Sequence, residues 1–462
     1  MPKISEVVKE VNSMSAEEKI KTYQKFKEEF DRLREEKKAY VKELEELPEA
    51  KKGRVVMRIA PYPSGDLHIG NTKTFLLNDI YVKKYEGKLL LVIDDTIGSA
   101  KKLLVKEAFD LIPEGLEWLE VEYKKPIIYK SDRLKIYYEY AEKVIKKNRA
   151  YVCECPQETL RENRKNGRAC GCRVLPLEEQ MKRWKKMLKK GTKEGSYTLR
   201  IKTDLHDPDP AFRDRVLFRI SNRKHPRVEN KYHLWPMLEF SWAVDDILLG
   251  VTHVIRGKEL MIETRMQEEL WKILGLEEKA PVMLHGGMIK IEGIEGKLSK
   301  SKAQAEVLSG EFKGWDDPRT WSLHSLKRRG IRPEAIREFI KEIGLNQNDI
   351  TVPIDKLYHI NKGMIDEEAN RYYFVKNPKK IIIENMPRLG SVEILRHPEK
   401  NELREVKVGK ELLIDEEDYE KFKGKEVRLM NLFNIKLKDN TKMLEDNTGK
   451  GLQKIQWVPK KF

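Results

Sequence analysis

From residue 54 onward, short apolar runs alternate with stretches whose apolar residues recur at helical spacing. RVVMRIA (54–60) is an apolar run of strand length, PYPSGD (61–66) is a turn cluster, helical spacing then holds from about His68 to Tyr85, and KLLLVID (88–94) is a second apolar run. Strand, helix and strand in that order predict a βαβ unit, the opening of a nucleotide-binding sheet. Apolar patterning resumes in MLEFSWAVDDILLGVTHVIRG (237–257), where the sheet is expected to continue. RRGIRPEAIREFIKEIG (328–344) has helical periodicity, with Pro333 placed as an early-helix residue. Beyond Asn370, segments such as KKIIIENM, REVKVGKELLI and KEVRLMNLFNIKLKD alternate and are broken by Gly, Pro and Asn, which predicts an antiparallel β-barrel. Residues 1–50 predict helices rich in Lys and Glu, with Ile20, Tyr23, Phe26 and Phe30 at helical spacing.

The expected class is therefore α/β, with a Rossmann-type catalytic domain in two halves (51–150 and 206–310). An insertion (151–205) separates the halves, a helical connecting region (311–370) follows, and a barrel (371–462) ends the chain. A length of 462 residues suits several domains.

Charge narrows the partner. The chain has 92 Lys and Arg against 76 Asp and Glu, a net +16, which points to a polyanion such as nucleic acid. Ion-pair networks of a heat-tolerant protein account for the same composition. No run reaches the roughly 20 apolar residues of a membrane span, and MPKISEVVKEVNSMS lacks the apolar stretch of a signal peptide, so a cytoplasmic protein without membrane contact is expected. All four cysteines fall between 153 and 172, as Cys153-Glu-Cys155, fourteen residues, then Cys170-Gly-Cys172. Two close pairs suit a tetrahedral structural Zn²⁺ site, although one-residue spacers are tighter than usual. The alternative is four ordinary cytosolic thiols.

Two motifs carry chemistry. Arg58-Ile-Ala-Pro-Tyr62-Pro63-Ser64-Gly65-Asp-Leu-His68-Ile-Gly70-Asn71 lies between strand and helix. There Gly65 permits a tight turn, Gly70 a close nucleotide approach, and His68 a hydrogen bond to phosphate at a helix N-terminus. An isolated His at a helix start is otherwise a capping or packing residue. More than two hundred residues later, Lys297-Leu-Ser-Lys300-Ser301-Lys302 sits beside Gly293 and Gly296. Three lysines and two hydroxyls on such a loop can close over a triphosphate, and the competing reading is a solvated lysine run.

In this order, HIGN and KLSKS resemble the paired signatures of class I aminoacyl-tRNA synthetases. RIAPYPSGDLHIG, VDDILLGVTHVIRGKEL, GWDDPRTWSLHSLKRRGIRPEAIREFI and NRYYFV are similar to the archaeal and eukaryotic glutamate-tRNA ligase branch. The resemblance implies catalytic roles for His68, Asn71, Lys297, Lys300 and Ser301, and an ATP site at Pro63, Ser64, Gly65, His68, Gly70 and Lys300. It places an amino-acid site at Arg58, Tyr62, Asp94, Leu238 and Arg256. Arg58 would pair with a glutamate carboxylate, Asp94 with the ammonium, and Arg256 with the side-chain carboxylate. The expected reaction is Mg²⁺-assisted attack of glutamate on ATP, giving an adenylate that acylates tRNA(Glu), and the enzyme is expected to be a monomer. Archaeal relatives often charge tRNA(Gln) as well, and the sequence leaves this open.

The resemblance also implies a zinc-bearing insertion at the acceptor stem, with Arg161, Arg164, Lys165, Arg168, Arg173, Lys182, Arg183, Lys185 and Lys186 near phosphates, and a barrel that reads the anticodon.

Several positions depart from the family pattern. Asn71 replaces a His, Leu238 stands where a substrate-contacting Tyr is usual, and Val92 replaces an Arg before Asp94-Asp95. Tyr62 replaces a smaller or polar residue, and its hydroxyl is expected to reach the space vacated at Leu238. The tail stops at Phe462, just past IQWVP, where family members continue, which predicts a shortened barrel. These departures keep two further readings in view: a diverged paralogue with altered amino-acid or acceptor specificity, and a silent RNA-binding protein.

Overall fold

A computed structural model describes residues 2–39, 44–99, 103–293, 300–387, 390–445 and 451–460. The chain divides into two units, residues 1–361 and 362–462.

The first unit opens with helices α1 (Pro2–Ser13) and α2 (Ala16–Ala39), on which Ile20, Tyr23 and Phe26 are exposed. The expected βαβ follows: β1 (Val56–Ile59), α3 (Ile69–Lys84) and β2 (Lys88–Ile93), then α4 (Ala108–Trp118) and β3 (Lys124–Tyr129). These strands pair in parallel in the order β1-β2-β3. β2 is apolar on both faces, as a strand covered by helices on both sides requires.

Helix α5 (Leu134–Lys146) leads to β4 (Ala150–Cys153), α6 (Gln157–Lys165), α7 (Leu177–Leu188), β5 (Thr198–Ile201), β6 (Val216–Ile220) and β7 (Leu234–Pro236). The four strands form an antiparallel sheet in sequence order, which extends from Ala150 to Pro236 and so continues past residue 205. It shares one core with α5 and α7, with α8 (Leu238–Leu248) and with α9 (Met261–Leu274), around Trp184, Phe218, Phe240 and Trp271.

Between those two helices lies β8 (His253–Gly257), which pairs in parallel with β9 (Val282–Gly286). Thr252, just ahead of β8, joins this pair to β1: its N–H donates to the Val56 carbonyl at 2.8 Å, and its Oγ1 accepts from Val56 N at 2.9 Å. The parallel strands thus run β3-β2-β1-β8-β9, and the C-terminal ends of β1 and β8 meet where the order reverses, the usual ligand crevice of such sheets.

Next come β10 (Ile289–Glu292), α10 (Lys300–Leu308), α11 (Leu323–Arg328), α12 (Pro333–Ile343, with Pro333 in its first turn) and β11 (Ile350–Pro353). α12 packs Ile336, Phe339 and Ile340 into the core under α3.

In the second unit the expected antiparallel barrel is replaced by three sheets around one core containing Ile381, Leu412, Val427, Leu429, Ile435 and Trp457. Among the described residues they do not close. Two pairings are parallel, Pro378–Ile383 with Asn440–Thr441 and Glu426–Leu429 with Gln453–Ile455, so the alternation correctly indicated strands but not their partners or directions.

Candidate active site

Between the ends of β1 and β8 lies a cleft of about 390 Å³ whose lining includes Arg58, His68, Asn71, Lys73, Trp242 and Arg256. The sequence-predicted residues Gly70 and Leu238 also face it. Tyr62 and Asp94 are not among the residues lining this cleft. Burial and the charge of Asp94 raise the Tyr62 pKa well above the usual phenol range.

The loop before α3 is fixed from both sides. Pro61 and Pro63 offer their carbonyls to Asp94 N (3.1 Å) and Val105 N (2.9 Å). Gly65 has φ +147°, and a Cβ there would meet the Trp315 ring at 2.2 Å, so the turn excludes a side chain on both grounds. Leu323 N donates to the Leu67 carbonyl at 2.8 Å, and Ile69 N to the Trp321 carbonyl at 3.2 Å, which ties the segment after α10 to the signature loop.

His68 caps α3: its Nδ1 accepts from Gly70 N at 3.1 Å, while the Asn71 side-chain oxygen accepts from His68 N at 3.4 Å. An accepting Nδ1 places the proton of a neutral imidazole on Nε2, the donor suited to a phosphate oxygen. Asn71, which departs from the family pattern, serves here as a capping residue, a role a carboxamide fills without charge. Lys73, one turn on, donates to the Gly287 carbonyl at 2.9 Å and anchors the β9–β10 connection.

Deeper in, the charges are matched by residues that sequence reasoning did not single out. Arg58 donates through Nε and NH2 to Asp246 at 2.5 and 3.0 Å, and its guanidinium lies 3.5 Å from the Trp242 ring centroid. Asp94 accepts from Lys130 Nζ at 3.0 Å and Thr96 Oγ1 at 3.0 Å. Burial lowers the Lys130 pKa, and the neighbouring Asp94 carboxylate opposes that. Asp95 holds Ser131 through N (2.8 Å) and Oγ (2.6 Å). Asp245, beside Asp246 on α8, turns to Tyr137 (2.5 Å) and Arg133 (2.7 Å). The one-residue offset of VDD on a helix was the available signal that these two acids serve different neighbours.

Arg256 differs from Arg58. Its NH1 donates to Gln267 Oε1 at 2.7 Å and Thr264 Oγ1 at 3.3 Å, whereas its buried NH2 has no hydrogen-bond partner among the described residues. Burial first, and then the charge of Arg58, pull its pKa down to about 9. A guanidinium in the wall of a cleft, with one buried N–H unmatched, is suited to a carboxylate.

Lys297 lies outside the described residues. Lys300 and Ser301 begin α10, but their side chains are not described.

The four cysteine sulfurs lie within 4.8 Å of one another, with Cys153–Cys170 at 3.7 Å and Cys155–Cys172 at 4.0 Å. A tetrahedral metal with sulfur bonds of about 2.3 Å has edges of about 3.8 Å, so the set fits such an ion. Gln180 braces both knuckles, accepting from Val152 N (2.8 Å) and donating to the Cys172 carbonyl (2.7 Å), and Arg183 NH1 reaches Cys172 Sγ at 3.4 Å. Of the basic residues predicted near phosphates, Arg161, Lys165, Arg168, Lys182, Lys185 and Lys186 are exposed, whereas Arg173 is engaged by Asp214 and Arg183 by Glu154.

Comparison with known proteins agrees with this architecture. Residues 54–367 match the catalytic domain of the tRNA synthetases class I (E and Q), and residues 369–453 match the anti-codon binding domain of the same family. The chain is 43% identical over 443 residues to a glutamate--tRNA ligase of Thermococcus kodakarensis, covering 95% of this chain and 76% of the relative. It is 40% identical over 463 residues to that of Methanothermobacter thermautotrophicus (99% and 81%), and 40% identical over 477 residues to that of Methanocaldococcus jannaschii (100% and 82%).

Proposed function

The chain belongs to the class I tRNA synthetases of the E and Q group, enzymes that attach an amino acid to tRNA, and we propose that the amino acid here is L-glutamate. The observation that carries the choice is Arg256, a cleft-lining guanidinium whose buried NH2 is unmatched, which suits a carboxylate and offers nothing comparable to a carboxamide.

The glutamate side chain is bound at Arg256, and its α-carboxylate oxygen attacks the α-phosphorus of ATP. The bond to the bridging oxygen breaks, pyrophosphate departs with the electron pair, and a glutamyl-adenylate remains. The terminal ribose hydroxyl of tRNA then attacks the acyl carbon, forming the ester and releasing AMP. Such displacement depends mostly on positioning and charge neutralisation, and Mg²⁺ supplies part of the latter. His68 donates from Nε2 to a phosphate oxygen at the positive end of α3, Gly65 and Gly70 let the nucleotide approach, and Lys297, Lys300 and Ser301 close over the pyrophosphate.

Zn²⁺ at Cys153, Cys155, Cys170 and Cys172 is structural in this reading and holds the insertion against the acceptor stem, with the exposed cations of α6 and α7 near its phosphates. The second unit reads the anticodon. The enzyme is cytoplasmic and monomeric, and tRNA(Gln) is a second acceptor to be assayed; no described helix is long and apolar enough to cross a membrane.

Charging of purified tRNA(Glu) and tRNA(Gln) with labelled glutamate tests the proposal, with Lys300→Ala as control. Charging of tRNA(Glu) that disappears in the control supports it, and charging of neither tRNA overturns it.

A further inference from the structure

Within the interior bordering the cleft, one ammonium is already bound, and it belongs to the chain. The Lys130 side chain is fully buried, with Nζ 3.0 Å from Asp94 Oδ2 and 2.7 Å from Ser241 Oγ. The same Nζ lies 3.6 Å from the Trp242 ring centroid. A carboxylate, a hydroxyl and an aromatic ring are the partners by which a site recognises a ligand's ammonium. The other Asp94 oxygen is taken by Thr96.

Access is closed as well as charge. Asp94 is 2% exposed and Lys130 fully buried, and neither is among the residues lining the cleft, whereas Trp242 lines it and lies against both Arg58 and Lys130. The two buried charge pairs, Lys130 with Asp94 and Arg58 with Asp246, are complete, while Arg256 retains an unmatched N–H. An incoming ammonium would have to displace Lys130 and leave a buried cation without its counter-charge, which is strongly unfavourable. Arg256, by contrast, has no carboxylate partner among the described residues that an incoming carboxylate would have to displace.

We propose that Lys130 occupies the seat of the substrate's α-ammonium on Asp94, with Trp242 as the wall before it, so that this cleft selects its acid through carboxylate recognition at Arg256 and gains nothing from the amino group. The proposal rests on the glutamate reading for the identity of the acid. Its consequence is a loss of discrimination between glutamate and glutarate, the same dicarboxylate without the amino group. An enzyme that pairs the ammonium with Asp94 should favour glutamate by at least about tenfold, the worth of one charge-assisted hydrogen bond.

Calorimetric titration of the full chain with glutamate and with glutarate tests this. The expected result is affinities within about twofold of each other for the unmodified chain, and a shift toward glutamate of at least about tenfold in Lys130→Ala/Trp242→Ala, where seat and path are both opened. A tenfold preference for glutamate in the unmodified chain overturns the proposal, as does a folded double variant whose preference does not shift. Binding of neither acid overturns it at the Arg256 end. If the double variant does not fold, the ratio in the unmodified chain decides by itself. Charging assays separate this inference from the ligase reading: equal affinities without charging keep the filled seat and sink the ligase, whereas charging with a tenfold preference for glutamate does the reverse.

Discussion

His324 Nδ1 lies 2.8 Å from Asp66 Oδ2, joining α11 to the loop that carries the nucleotide signature. On its other side, His324 Nε2 is 3.3 Å from Glu114 Oε2. The hydrogen bond to Asp66, and then the charges of Asp66 and Glu114, raise the His324 pKa above its ordinary value, against the effect of burial. A group with a raised folded-state pKa stabilises the fold when protonated. The clasp should therefore be fully present below about pH 6 and lost as pH rises through the raised pKa. His324→Asn is expected to lower stability by about 1–2 kcal/mol at pH 6 and by clearly less at pH 9. Urea midpoints at the two pH values check this, and an equal loss at both would show that the contact is not charge-dependent.

Arg256→Gln should raise the KM for glutamate by at least about tenfold while leaving the KM for ATP within about twofold, because the unmatched N–H serves only the carboxylate. Steady-state kinetics with each substrate varied in turn would reveal the split, and an unchanged KM for glutamate would count against Arg256 as the carboxylate site.

Gly65→Ala should cost about 2 kcal/mol or more, because the new methyl meets Trp315 in a backbone conformation that side chains rarely adopt. Trp315→Leu should recover part of that loss by removing the steric component but not the backbone component. Melting temperatures of the two single variants and the double variant form the cycle that measures the coupling.

Cys170→Ser should abolish metal binding, because a tetrahedral thiolate site does not tolerate loss of one ligand from the 3.7 Å Cys153–Cys170 pair. Elemental analysis should find about one zinc per unmodified chain and close to none in the variant, with the insertion more readily cleaved by protease. A metal-free unmodified protein of unchanged protease resistance would leave the cysteines as ordinary packed thiols.

Much of the scaffold was legible because local rules set it. The strand, turn and helix around PYPSGDLHIG follow from apolar periodicity and turn residues, and Pro333 marked its helix correctly. The cysteine spacing predicted a cluster because two short-range pairs need only one tertiary contact to meet. Pairing in the second unit was not legible, since alternation identifies strands but not which neighbour each takes or in which direction.

By itself, then, the sequence determined which residues carry charge, which segments are strand or helix, and which motifs could cradle a triphosphate. Only the tertiary structure decided which of those charges remain available. Asp246 and Lys130, distant in sequence from Arg58 and Asp94, neutralise two of the groups expected to meet a substrate, and the third, Arg256, keeps an unmatched N–H. The physical reason is that a buried charge requires a partner within a few ångströms, and separation along the chain does not say which residues will come that close.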